Sequence, residues 1–305
     1  MIAAGIDLGG TKIEVQIFDT DWQVVAKNRV DTPLDYDDLV SAMAEQINWI
    51  ERNGGGNVPV GVSAAGLINP VTGLALTANL PATGKPFPSD IEARSRRKIT
   101  YVNDCRALTL SEARFGAAQG AASVAGLILG TGVGGGFAYD SRLLPGPAMV
   151  GGEFGHTAAP AHLVAQYKLP VVQCGCGRMG CIETYIAGPG LERLAQAITG
   201  ETLSPPQIAA ARDTDDGAAQ VWSVWCEFVA ELLMTLTLTF DPEMVVLGGG
   251  LSNIDGVAED LTSALLAEQF RDFAIPKIVV AQGGDASGAR GAAFAAWLES
   301  GAGDV

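Results

Sequence analysis

Apolar and polar positions along the chain follow two different periods. Ile2 to Leu8 is a short apolar run, Gly9-Gly10-Thr11 interrupts it, and Lys12 to Phe18 resumes with Ile13, Val15 and Ile17 on one face. That pattern predicts a strand, a tight turn and a return strand. A third strand is predicted at Gln23 to Val30. Leu39, Met43, Ile47 and Ile50 fall at helical spacing, so a helix is expected over 35–52. Val58 to Val62 reads as a buried strand, and Pro70 to Pro88 as loop. Ser89 to Arg97 predicts a helix, Ile99 to Val102 a strand, and Asp104 to about Phe115 a helix with an acid at its cap or in its first turn. A second strand–turn–strand unit is expected from Val124, with Gly130 to Gly136 turning and Phe137 to Tyr139 returning. Its plan matches the opening unit and suggests two similar halves.

Residues 151–181 show little periodicity. Helices are expected from Pro189 to Phe240, a buried strand at Met244 to Leu247, a helix from about Ile254 to Phe270, a strand at Lys277 to Ala281 and a closing helix over 286–298. Strands interleaved with helices predict an α/β class.

Composition narrows the function. The chain has 305 residues, 48% of them hydrophobic and 17% charged, which describes a folded globular protein. Lys plus Arg is 19 and Asp plus Glu is 34, so the net charge is 19 − 34 = −15. So acidic a chain is a poor partner for nucleic acid, which demands a basic surface, and for anionic membranes. The N-terminus shows no export signal, and a cytoplasmic location is expected. The uncharged stretch from Phe115 to Tyr139 carries too many glycines for a transmembrane helix.

Three glycine segments follow apolar runs. Gly130 to Gly135 fits G-x-G-x-x-G, but a strand is expected after it where a dinucleotide fold needs a helix. No P-loop pattern occurs. Gly9-Gly10-Thr11-Lys12 and Gly130-Thr131-Gly132 suit a phosphate clamp, because glycine lets backbone N–H groups approach phosphate oxygens. Gly248-Gly249-Gly250, between a strand and a helix, suits a nucleotide's base or ribose. Each alone also reads as an ordinary turn; three at strand ends point to a nucleotide site. Asp7, at a strand end before the first turn, is a candidate to hold Mg²⁺ against phosphates, or else an acid facing water. Asp104 is a candidate general base, or a simple helix-terminal acid.

Five cysteines include Cys174, Cys176 and Cys181 within eight residues. With His156 as a fourth ligand they form a tetrahedral Zn²⁺ set, closed and therefore structural. The metal would pin together two loops bearing Glu153 and Glu183, carboxylates suited to adjacent sugar hydroxyls. His162 reads as a surface residue, and Cys105 and Cys226 as buried small apolar residues.

In chain order, Asp7-Leu8-Gly9-Gly10-Thr11-Lys12, Asn103-Asp104, Gly130 to Gly136, Gly152-Glu153-Phe154-Gly155-His156, the 174–183 cysteine segment and Gly248-Gly249-Gly250 resemble the ROK family of sugar kinases, over essentially the whole chain. The resemblance implies an actin-like, Hsp70-like ATPase fold: two α/β domains around a cleft, 1–117 with 288–305 forming the smaller and 118–287 the larger with the zinc loop. It implies ATP and Mg²⁺ as cofactors, structural zinc, a monosaccharide substrate and a homodimer. It makes Asp104 the catalytic base. Asn79, Asn103, Asp104, Glu153, His156 and Glu183 become sugar-binding residues. The nucleotide falls to Asp7, Gly9, Gly10, Thr11, Lys12, Thr131, Gly132, Val133, Gly134, Gly135, Gly248, Gly249 and Gly250. Within the family the motifs look nearest to bacterial kinases that phosphorylate N-acetyl-D-glucosamine at its 6-hydroxyl. Fructokinase and glucokinase or mannokinase activities are the alternatives, and a non-catalytic sugar sensor is an alternative of another class. Two departures stand out: Gly61 to Gly66 lacks the usual Ile-Pro-Gly, and Cys105 replaces a usual alanine.

Overall fold

The computed structural model describes residues 1–54, 56–284 and 287–302. The chain forms two compact units, one of residues 1–119, 136–151 and the segment from Gly283 onward, the other of residues 120–135 and 152–282.

The first unit opens with β1 (Ala3–Leu8), β2 (Lys12–Phe18) and β3 (Val24–Asp31), then α1 (Tyr36–Gly54) and β4 (Val60–Ala64). A small hairpin of β5 (Leu67–Ile68) and β6 (Ala75–Leu76) precedes α2 (Phe87–Ser95), β7 (Thr100–Asn103) and α3 (Asp104–Phe115). The sheet order is β3-β2-β1-β4-β7, antiparallel through the first three strands and parallel through β1, β4 and β7. β2, β1 and β4, the three inner strands, are buried along nearly their whole length, as strands covered on both faces must be. α1 buries Leu39, Met43, Ile47 and Ile50, the stripe its spacing predicts.

The chain continues as β8 (Ser123–Leu129), β9 (Val133–Tyr139) and β10 (Arg142–Leu143). The 153–186 region carries a short 3₁₀ turn at Phe154–His156, α4 (Ala161–Gln166) and α5 (Glu183–Ile186). After α6 (Gly188–Thr199), α7 (Pro205–Ala211) and α8 (Asp216–Phe240) come β11 (Met244–Gly248), α9 (Val257–Ala267), β12 (Lys277–Val280) and α10 (Ser287–Glu299). The second sheet has order β10-β9-β8-β11-β12, with β8, β11 and β12 parallel. This repeats the first sheet's plan strand for strand, as the two glycine-turn units suggested.

Several boundaries differ from the sequence expectation. β9 begins at Val133, so most of the glycine run from 133 to 136 lies in a strand. α9 spans only Val257–Ala267, shorter at both ends than expected. α8 is the one helix among the described residues long and apolar enough, by length and composition, to cross a membrane. It is instead a core helix, with Trp225 and Phe228 fully buried and the Trp225 indole N–H donating to the Ile186 carbonyl at 2.9 Å.

α10 seats in the first unit by direct backbone contact. A Cβ on Gly5 of β1 would lie 1.8 Å from the Ala289 carbonyl oxygen, one on Gly61 of β4 1.9 Å from that of Ala292, and one on Gly291 1.8 Å from that of Ala107 in α3. No side chain fits at any of these crossings. Gly61→Ala should therefore lower unfolding free energy by about 3 kcal/mol, whereas Gly146→Ala, with nothing within 4 Å, should stay within about 0.5 kcal/mol of the parent. Chemical denaturation midpoints check this; equal midpoints would contradict the seating.

Candidate active site

Parallel strands collect their carboxyl ends on one edge of a sheet, where α/β proteins bind ligands. In the first unit the register places Asp7 beside Ser63, and Leu8 beside Ala64, itself beside Asn103. Asp7, Asn103 and Asp104 thus come together by strand pairing alone. The first glycine turn follows β1. It is fastened by the Gly9 N–H to the Lys12 carbonyl at 2.9 Å and by the Thr32 hydroxyl to the Gly9 carbonyl at 2.7 Å. A Cβ on Gly10 would lie 3.3 Å from the Asn79 side chain, so Asn79 abuts this turn.

Asn103 is the N-cap of α3, its Oδ1 accepting from the Cys105 and Arg106 N–H groups at 3.0 and 3.3 Å. Its Nδ2 donates to the Gly66 carbonyl at 3.2 Å, tying the cap to the segment after β4. Asp104 is the first helical residue, and its Oδ1 accepts from the Cys105 N–H at 2.9 Å. Burial pushes its carboxyl above the ordinary value, while the hydrogen bonds from Cys105 and Asn103 pull the other way. Burial also pushes Asp7 up to about 6; the Ser63 hydroxyl and Lys12 oppose this, and Asp104 and Glu14 reinforce it. α10 starts against Asp7, for a Cβ on Gly288 would lie 2.4 Å from Asp7 Oδ1.

Sequence reading missed Glu112. This fully buried carboxylate of α3 accepts from the Gly283 N–H at 2.8 Å, the Ser287 hydroxyl at 3.0 Å and the Ala117 N–H at 2.9 Å. It fastens the chain entering α10 to the helix that carries Asp104. Cys105 is half-buried, not buried as expected, because it stands at the helix start beside Asp104; Cys226 is buried. His162 is on the surface, its Nε2 3.2 Å from Glu231.

In the second unit the turn proper is Gly130-Thr131-Gly132, closed by the Gly130 N–H to the Gly132 carbonyl at 3.0 Å. Val133, Gly134 and Gly135 belong to β9, and a Cβ on Gly135 would lie 2.0 Å from the Gly126 carbonyl oxygen. Gly248 ends β11, and Gly249 has φ +83°, with its Cβ position 2.4 Å from the Leu129 carbonyl oxygen. Only glycine suits that place. Gly130, Thr131 and Gly250 line an open cleft of about 680 Å³ with Gly188, Pro189, Glu192, Pro205, Pro206, Leu251, Asn253 and Ile254. The sequence signal that could have flagged part of it is Pro205-Pro206 after the Ser204 cap.

His156, Cys174, Cys176 and Cys181 offer ligand atoms that all lie within 4.8 Å of one another. The Cys176 and Cys181 sulfurs are 3.6 Å apart, and Cys174 Sγ is 3.5 Å from His156 Nδ1. Ligands about 2.3 Å from a tetrahedral zinc would be separated by about 3.7 Å, so this donor set fits the ion. The two loops also meet without it: the Ile182 N–H donates to the Thr157 carbonyl at 2.9 Å. Glu183 Oε1 lies 2.8 Å from Cys174 Sγ and 3.5 Å from His156 Nδ1, while Glu153 Oε2 lies 3.6 Å from Nε2. Nδ1 thus faces both Cys174 and Glu183, and Nε2 faces Glu153, the carboxylate placed to orient an imidazole bound to metal through Nδ1.

The ROK family profile matches residues 3–299. The chain belongs to the ROK family. It is 38% identical over 293 residues to the N-acetylgalactosamine kinase of a Shewanella species, covering 95% of each chain. It is 38% identical over 295 residues to the N-acetyl-D-glucosamine kinase of Pectobacterium atrosepticum, covering 95% of this chain and 97% of that one. The ROK hexokinase of Thermus thermophilus superposes with a TM-score of 0.87 at 31% identity, over 99% of this chain and 100% of that one. The actin-like ROK fold expected from the motifs is therefore present, and its two sheets share one strand order.

The raised carboxyl of Asp7 has a consequence for stability. A native carboxyl that titrates near 6 instead of 3.8 favours the folded state only while protonated, so its contribution is full at low pH and is lost as pH rises between those values. Asp7→Asn should match the parent near pH 4 and exceed it at pH 7, by at most about 3 kcal/mol. Denaturant titrations of both proteins across this range check it; parallel curves would contradict the burial of a charged Asp7.

Proposed function

We propose that this ROK protein transfers the γ-phosphoryl group of ATP to the 6-hydroxyl of a hexose or N-acetylhexosamine, with N-acetyl-D-glucosamine as the first candidate. The observation that carries the reading is the placement of Asp104: half-buried, first in α3, at the carboxyl end of a parallel strand and in the same edge cluster as Asp7. A carboxylate whose proton affinity is raised by burial is a stronger base. Asp104 takes the proton of the 6-hydroxyl, that oxygen bonds to the γ-phosphorus, and the bond to the β-phosphate oxygen breaks to release ADP.

The remaining residues bind and orient. Gly9, Gly10, Thr11 and Lys12 in the first unit, and Thr131 and Gly132 in the second, carry backbone N–H and hydroxyl groups suited to phosphate oxygens. Val133, Gly134, Gly135 and Gly248 act as the strand residues that hold the turn and Gly249-Gly250 in place. The 680 Å³ cleft takes the nucleoside, where Glu192 and Asn253 supply hydrogen-bonding groups between apolar walls. Asp7 is the residue to hold Mg²⁺, which neutralises phosphate charge when bound. His156, Cys174, Cys176 and Cys181 hold a structural zinc with no open position. Asn79, Asn103, Glu153, His156 and Glu183 hold the sugar, and the two kinases named above share the N-acetylhexosamine class. The likeness to the Thermus hexokinase favours unacetylated hexoses as the second reading.

Homodimerisation belongs to the same proposal. It is supported by Leu238, Phe270 and Phe273, exposed on the second unit around a hollow of about 260 Å³.

ADP release measured with N-acetylglucosamine, N-acetylgalactosamine, N-acetylmannosamine, glucose, mannose and fructose tests the reading. Turnover should be fastest with an N-acetylhexosamine, and Asp104→Asn should lower kcat by about 10²–10⁴-fold with little change in sugar KM. Near-parent kcat in that variant would remove Asp104 from the base role, and no ATP-dependent turnover with any sugar would favour a sensor.

A further inference from the structure

The cysteine–histidine knuckle and the glycine turn of the second unit are joined at three points. Glu183 bridges them: its Oε1 lies 2.8 Å from Cys174 Sγ and 3.5 Å from His156 Nδ1, while its Oε2 accepts the Val133 N–H at 3.3 Å. Gly155, next to His156, touches the same residue from the other side. A Cβ there would lie 2.3 Å from the Val133 carbonyl oxygen and 2.8 Å from its Cβ, so the two backbones are in van der Waals contact. The Gly188 N–H donates to the Gly130 carbonyl at 2.8 Å, and Gly188 follows α5, which begins at Glu183. Both ends of the turn are therefore held by residues close in sequence to metal ligands. Val133 is nearly buried, at 5% exposure, so its N–H has little water to turn to if Glu183 moves.

A turn that binds phosphate through backbone N–H groups is only as good as its preorganisation. Four ligands locked to one ion fix the two loops that carry Glu183 and Gly155. Freed from it, the same loops keep only a few backbone bonds to set where Glu183 and Gly155 stand against Val133.

We propose that zinc at the knuckle and nucleotide at the Gly130-Thr131-Gly132 turn bind cooperatively, with Glu183 as the positioning residue that couples them. This rests on the nucleotide role proposed above for that turn. The coupling is reciprocal, as any linkage between two binding equilibria must be.

The experiment uses the full chain without sugar. ADP affinity is measured by calorimetry on zinc-loaded protein and on protein stripped with a chelator, and zinc affinity by competition with a chromophoric chelator, with and without saturating ADP. Stripping should weaken ADP about 5- to 100-fold, and ADP should tighten zinc by the same factor. Glu183→Gln should retain one zinc per chain and lose most of the coupling, so that zinc affinity responds to ADP less than about twofold; a purely structural defect would not erase that response. Parent and variant both pass through the metal-free form in this titration, so loss of the response in the variant alone is read against the same background. Equal ADP affinity with and without zinc, or full coupling in Glu183→Gln, would overturn the proposal while leaving the kinase reading intact. Failure of the zinc-loaded parent to bind ADP would overturn the nucleotide reading and this inference with it.

Discussion

Desolvation of two carboxylates is the constraint around which the first unit is arranged. Asp7 and Asp104 sit at the carboxyl ends of β1 and β7, and burial raises the proton affinity of both. Holding such groups out of water is costly unless they are hydrogen-bonded or paired, and it needs surroundings rigid enough to keep water away. The rigidity is visible in the packing behind them. α10 lies directly on the backbones of β1, β4 and α3 through Gly5, Gly61 and Gly291, and its own Gly288 admits the Asp7 carboxylate. Glu112 then ties the start of α10 to the helix that Asp104 opens. These contacts leave no room for a side chain and hold both acids in place, while hydrogen bonds from Ser63 and Cys105 oppose their desolvation.

The second unit solves a different problem on the same strand plan. Among the described residues its edge carries no equivalent pair of half-buried aspartates; it carries a glycine turn, an open cleft and a cysteine–histidine knuckle. A backbone turn has no side chain of its own to fix it. Its fixing groups come from outside, at Gly130 and Val133, from residues beside the knuckle. Each sheet thus ends in a glycine turn, and the first adds the Asp7 and Asp104 carboxylates to it.

Much of this was legible in the sequence because it is local. α3 has the boundaries expected of it, since Asn103 and Asp104 supply the cap and the first-turn acid that define a helix start. The knuckle was legible because three cysteines in eight residues have few other uses in such a chain. What escaped has a physical reason in each case. β9 hid its first residues because glycines 134–136 carry no side chains to show alternation. α2 begins at Phe87, two residues before the expected start, because Pro88 sits in the first turn, where its missing N–H costs nothing. Glu112 reads as a surface acid in a helix; its partner Ser287 is 175 residues away. The cleft around Gly130 is assembled from segments spread between 130 and 254, and no local pattern announces it.

The account stands or falls on the state of the two acids. Carbon-detected NMR titration of aspartate-labelled protein, with Asp7→Asn and Asp104→Asn to assign the signals, reads each carboxyl separately. The account predicts that Asp7 titrates near 6 and that Asp104 titrates above 3.8. Both titrating at or below 3.8, as acids open to water do, would contradict it.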